Sequence, residues 1–385
     1  MHQFRPDLWV ALEEDTICKL RLNSPAGGWF PALQYYYLWI TKPSLPHASL
    51  FLSQNLKEIR ISVPLLEYLH DVLPDVSSAI SQLPTTALQR LHVDFGLNET
   101  PRGCLNDSLS SVVLRCGPSL TEFSSPIPLS DAAIDHLIHL PHLHTWHVEG
   151  PPPSYSASSL PLDFPPLVQF VLGEGAANGW LSLLKLLEAH DSPTQSTTPL
   201  SKTKESLKFL KTAQFVSLII DAPLASSIRM FRNLVDLDVS ASCNDEGIGQ
   251  CTFKLNNDNV TELAVALPQL ESLLLGYPCH RDTCVTTVAC LLQISVHCIK
   301  LQTLEIHFST INIVDDFQTT LEDSRFRELR SAPRCMLRRL DMHRIPLTSD
   351  GPEYEVVVNG MTSIFPSLEI LMGYSEVWRW EGLSE

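Results

Sequence analysis

A short apolar phrase returns along the chain: a Leu, two variable residues, an apolar residue, one variable residue and a second apolar residue. The clearest copies are LQRLHV at Leu88, LHTWHV at Leu143, LVDLDV at Leu234, LESLLL at Leu270, LQTLEI at Leu301 and LRRLDM at Leu337. Side chains alternate along a strand, so the fourth and sixth positions share one face and the third, fifth and seventh share the other. Each phrase therefore predicts a short strand with one buried side. Between phrases the spacing becomes helical. The stretches 129–143, 256–270 and 285–301 carry apolar residues three and four apart, with Asp131 and the Asn/Asp group near 256 as candidate caps. Parallel strands need crossovers of this kind.

Counted from the first apolar position, units begin at Leu56, Leu88, Leu120, Leu143, Leu167, Phe215, Leu234, Leu270, Leu301, Leu337 and Leu368; those at Leu120 and Phe215 fit the phrase least well. The spacing runs from 19 residues (Phe215 to Leu234) to 48 (Leu167 to Phe215). A strand and a helix returning at about 20–29 residues, or somewhat more where the helices are full, is the mark of leucine-rich repeats. The predicted fold is α/β: a leucine-rich-repeat solenoid with a curved parallel sheet on the concave side and helices on the convex side. Residues 1–49 are assigned to a helical or irregular N-terminal cap and 50–385 to the solenoid. Within the longest gap, an amphipathic helix at 178–190 is followed by DSPTQSTTPLSKTKES (191–206), which has little apolar to bury and is expected to be a mobile loop. Trp378 and Trp380, two apart near the end, are expected to cover the last repeat.

Of the 385 residues, 44% are hydrophobic and 18% charged, enough for a large core and too little charge for a disordered chain. The net charge of −16 argues against duplex nucleic acid, whose readers need a basic face, and against an anionic membrane surface. The N-terminal residues lack an apolar signal segment, and no apolar run approaches the roughly 18 residues of a membrane span. The ten cysteines are scattered, as in reduced proteins. A cytoplasmic or nuclear location is expected.

Chemistry-bearing motifs are scarce. His136, His139, His142, His144 and His147 run from a helix into a strand and need not converge on a metal; Cys279, Cys284, Cys290 and Cys298 lack paired spacing. Asp315 and Asp316 follow an apolar run and read as helix-start or solvent residues. Without a phosphate loop, dinucleotide fingerprint or nucleophile elbow, neither an enzyme nor a cofactor is expected.

The outward positions of the strands supply a candidate binding row: Glu58 and Arg60; Arg90, His92 and Asp94; Thr145, His147 and Glu149; Asp236 and Asp238; Thr303, Glu305 and His307; Arg339, Asp341 and His343. Repeat solenoids bind partners on this surface. The middle of the row is acidic at Asp236 and Asp238 and suits a basic peptide. The histidines would make binding sensitive to pH.

The order FRPDLWVALEED, NLKEIRISVP, ALQRLHVDFG, PHLHTWHVEGPPP, FRNLVDLDVS and PSLEIL resembles the leucine-rich-repeat region of the F-box proteins of mushroom-forming fungi. The resemblance implies a substrate receptor: an N-terminal F-box docks on a Skp-type adaptor, and the repeats present a protein to a cullin-RING ubiquitin ligase. Residues 1–55 carry neither the Leu-Pro-x-Glu opening nor the helical trio of an F-box. Adaptor binding is therefore expected only if an F-box lies upstream. The alternative is a free-standing interaction scaffold.

Overall fold

The computed structural model describes residues 30–39, 52–63, 69–95, 102–150, 152, 164–173, 179–183, 201–212, 219–240, 253–276, 285–306, 313–322, 335–342, 352–372 and 377–379. Contacts divide the chain into two compact units, the first Met1–Ala176 with Gln195–Lys202 and the second Ala177–Thr194 with Thr203–Glu385.

In the first unit β1 (Tyr35–Trp39), β2 (Glu58–Val63), β3 (Arg90–Phe95), β4 (Glu122–Ser124), β5 (Thr145–Val148) and β6 (Gln169–Leu172) lie side by side in chain order, all parallel. Helices α1 (Leu69–Ser81), α2 (Arg102–Arg115) and α3 (Asp131–Ile138) join β2 to β5 and pack on one another in sequence. Helix α4 (Ser201–Ser206), which belongs to the second unit from Thr203 on, precedes β7 (Phe209–Thr212). Then β8 (Asp236–Val239), β9 (Ser272–Leu275), β10 (Thr303–Ile306), β11 (Arg339–Asp341) and β12 (Ile370–Met372) follow in parallel order. Their crossovers contain α5 (Ala222–Ile228), α6 (Asn257–Ala266), α7 (Ala289–His297), α8 (Ile313–Glu322) and α9 (Pro352–Ile364). The last strand, β13 (Val377–Arg379), turns back antiparallel on β12, with Trp378 opposite Leu371.

The repeating phrase explains the ladder. From β2 onward its first residue is buried in every described unit, including Leu56, Leu120, Leu167, Leu207 and Leu368. The strands alternate half-buried and buried positions, with the fourth and sixth residues inward. The second residue locks adjacent units, because its carbonyl accepts two N–H groups from the next one. Gln89 O takes Thr121 N (2.7 Å) and Glu122 N (3.1 Å); Glu271 O takes Gln302 N (2.8 Å) and Thr303 N (3.1 Å). A mismatched register would expose a row of leucines, so pattern and hydrogen bonds select the same pairing.

Local signals set the helix starts. Asn256 and Asn259 form a reciprocal capping box on α6, and Asp221 Oδ1 accepts the Leu224 N–H at 3.0 Å to open α5. Ser130 caps α3, so Asp131, the expected cap, is instead the first helical residue. In the first unit Trp146 stacks obliquely on Phe164 and Phe170, with centroids 6.4 and 5.7 Å away. In the second unit α9 touches α8 through Gly360, where a Cβ would overlap the Phe317 ring.

Three expectations change. The strand ladder starts inside residues 1–49, because β1 follows the same phrase with Leu33, Tyr36 and Leu38; Tyr36 and Leu38 are buried. Phe215 lies outside the described residues, and the strand of that unit is β7, eight positions earlier, with Leu207 and Leu210 inward. Its sixth position is the polar Thr212, buried because its hydroxyl serves Ser240 O (3.3 Å) and Ser240 N (3.2 Å). Finally, 201–206 of the expected loop is helix α4, anchored by buried Thr203, whereas 191–200 lies outside the described residues.

Candidate functional site

Because the even positions of each strand are sealed into the core, the odd positions form one open face in each unit. In the first unit the third-position row runs Tyr35, Glu58, Arg90, Glu122, Thr145, Gln169, and the fifth-position row runs Tyr37, Arg60, His92, Ser124, His147, Val171. Parallel register places each residue beside its counterpart in the next strand, about 4.8 Å away.

That spacing joins charges into a chain. Glu58 Oε1 meets Arg60 Nε at 2.7 Å and its Oε2 meets Arg90 Nη1 at 3.1 Å. Arg90 Nε reaches Glu122 Oε1 at 3.3 Å, and the other oxygen of Glu122 stands 3.5 Å from His92 Nε2. Burial lowers the His92 pKa, and Arg60 adds to this; Glu122 and Glu58 oppose it, and Arg90 reinforces it. His92 is thereby held toward its neutral form. Next along, Ser124 Oγ lies 3.3 Å from His147 Nδ1, and His147 Nε2 lies 3.5 Å from Glu149 Oε1. Glu149 folds over Gly173, where any Cβ would overlap its carboxylate. Asp94 is exposed at the end of its strand, beside Ser62.

Ser124, His147 and Glu149 are residue types of a hydrolytic relay. Here the serine sits on the flat of a strand paired on both sides, so the neighbouring strand N–H groups serve the ladder rather than a developing oxyanion.

In the second unit the third-position row is Phe209, Asp236, Ser272, Thr303, Arg339, Ile370, and the fifth-position row is Lys211, Asp238, Leu274, Glu305, Asp341, Met372. Lys211 Nζ binds Asp236 Oδ2 at 2.9 Å. Asp238 is more sheltered: its Oδ1 is buried without a hydrogen-bond donor. Burial raises the Asp238 pKa; Lys211 opposes this, Asp236 and Glu305 add to it, and a hydrogen bond from Ser240 lowers it.

The structure thus puts Glu58, Arg60, Arg90, His92, Thr145, His147 and Glu149 on the face of the first unit. Asp236, Asp238, Thr303, Glu305, Arg339 and Asp341 occupy the face of the second. His307 and His343 lie outside the described residues. Sequence reasoning missed Glu122, Ser124, Tyr35, Tyr37 and Lys211. The first two sit in the imperfect LTEFSS phrase, and the last three belong to strands β1 and β7, which were not placed. Lys211 matters most, since it offsets part of the acidity expected around Asp236.

The clustered histidines part company. His136 Nε2 donates to Cys116 O at 2.9 Å, and His139 Nδ1 to Asp135 O at 2.7 Å. Among the described residues, no group of three His, Cys, Asp or Glu could hold a metal. Asp315 and Asp316 sit in the first turn of α8. Cys116, Cys290, Cys298 and Cys335 are buried, and no disulfide joins them. No described helix is long and apolar enough to cross a membrane. Comparison with protein-family models gives no match, and comparison with curated proteins gives none.

Proposed function

We propose that the chain is a leucine-rich-repeat recognition module that binds a protein on the open faces of its sheets. It serves as the substrate-receiving part of an F-box-type cullin-RING ubiquitin ligase and has no catalytic or cofactor chemistry of its own. The observation that supports recognition most is the sorting of side chains. Inward positions are apolar apart from Ser125 and Thr212, while outward ones carry connected, partly buried ion pairs such as Glu58–Arg90–Glu122. Held charges of this kind discriminate between partners, since a mismatched partner must break them. With a net charge of −16, the partner is a protein or peptide rather than nucleic acid or an anionic membrane.

The ligase role rests on the resemblance of the repeat phrases and requires an F-box to reach a Skp-type adaptor. The second reading is a free-standing scaffold that uses the same face without an adaptor. Affinity purification of the protein expressed from its own gene separates them. Adaptor and cullin should co-purify; recovery of other partners alone leaves the scaffold reading and removes the ligase.

A further inference from the structure

Resting on the recognition reading, we propose that the open face of the second unit takes an extended basic peptide, seating one Arg or Lys side chain over Leu274. Leu274 is half-buried in the middle of the fifth-position row, with Asp238 paired to it on one side and Glu305 on the other. Two strand spacings separate these carboxylate residues, about 10 Å between Cα atoms. That span accommodates a cationic head between them while its aliphatic stem lies on the leucine, as long basic side chains prefer.

The neighbours reinforce the choice. Lys211, the cation nearest Asp238, is committed to Asp236 at 2.9 Å, and Asp238 Oδ1 is buried with no donor. Asp341 stands beside Glu305 and extends the acidic row. Counting the described outward positions of β7 to β12, Asp236, Asp238, Glu305 and Asp341 oppose Lys211 and Arg339, so the face has a net charge of −2. Phe209, Ile370 and Met372, all half-buried at its two ends, provide apolar seats for the rest of the peptide. The fitting ligand therefore alternates cationic and apolar side chains; an acidic segment would meet a face of its own sign.

The test uses the full chain and a fluorescein-labelled peptide of alternating Arg and Leu, with a Glu/Leu peptide as counterpart, read by fluorescence anisotropy at physiological salt. The Arg/Leu peptide should bind and the Glu/Leu peptide should not. Leu274→Arg, which fills the seat with the protein's own cation, and the pair Asp238→Asn with Glu305→Gln should each weaken binding about tenfold or more. Glu355→Gln, an exposed carboxylate on α9, should leave it unchanged. Asp238→Lys with Glu305→Lys should gain the Glu/Leu peptide, an outcome that misfolding cannot produce. Equal binding by wild type and all variants, or no binding of the Arg/Leu peptide, overturns the proposal. If it fails while a cellular partner is still lost on Arg90→Glu in the first unit, the recognition reading survives and only this seat is removed.

Discussion

Glu58 and Arg90, thirty-two residues apart in the chain, meet at 3.1 Å on neighbouring strands. Neither could find the other without the repeat, because parallel register brings third positions together. The Glu58 side chain is only 13% exposed, whereas Arg90 is 45% exposed, so the carboxylate is the fixed partner and the guanidinium the outward one. Arg90→Ala should cost no more than about 1 kcal/mol of stability, since Glu58 keeps Arg60, and most exposed pairs contribute little. Chemical denaturation checks the stability, and the same variant should lose a partner bound on this face.

His92 gives a pH signature. Its pKa is lowered from 6.5 in the folded state, so below that pH the unfolded chain binds more protons. Stability present above pH 6.5 should decline as the pH falls through the window between the unfolded and folded values. His92→Gln should flatten that part of the profile. Thermal unfolding between pH 5 and 8, wild type against variant, measures it; identical profiles would remove His92 as the cause.

Asp238 should show the opposite sign. Its folded pKa is raised from 3.8, so stability falls as the pH rises from 3.8 through the folded value and the half-buried carboxylate ionises. Asp238→Asn should raise the melting temperature at neutral pH, and the gain should vanish in acid. A variant that melts lower at pH 7 would show that the charge is favourable where it stands.

Gly360 inverts a usual rule. Replacing a helical Gly by Ala normally gains roughly 0.5–1 kcal/mol. Here the new Cβ would meet the Phe317 ring, which is fully buried in α8. Gly360→Ala should instead destabilise by about 1–3 kcal/mol, the range of overpacking. Gly360→Ala combined with Phe317→Leu should recover part of the loss in a double-mutant cycle.

Burial also silences two thiols. The pKa of both Cys116 and Cys298 is pushed up to about 12 from 9.0. Three pH units correspond to about a thousandfold less thiolate, the reactive form. Native protein treated with iodoacetamide at neutral pH should remain unlabelled at these sites, and denatured protein should be labelled at both. Mass spectrometry of the digested peptides separates the two states.

Much of this fold was legible because its periodicity is that of a strand. Leu88, Leu91 and Val93 announce one unit as plainly as Leu301, Leu304 and Ile306 announce another. Where the pattern failed, the physics was specific. Thr212 is inward but polar, satisfied by the Ser240 backbone, so apolar spacing skipped β7 and moved the expected strand to Phe215. The run Tyr35-Tyr36-Tyr37 concealed alternation, since one tyrosine of the three is buried while its two neighbours face out. Among site residues, alternation found the outward row, yet pairings such as Lys211 with Asp236 depend on which strands adjoin and on side-chain reach. Neither can be read from one phrase.

The central claim is that the open sheet face, and not the helical side, selects a partner. Quantitative affinity capture tests it most directly, comparing wild type, a face variant carrying Arg90→Glu with Leu274→Arg, and a helix-side control carrying Glu355→Gln, all shown to melt alike. The account predicts that one or more proteins remain on wild type and control and disappear from the face variant. The same proteins recovered equally from all three would contradict it.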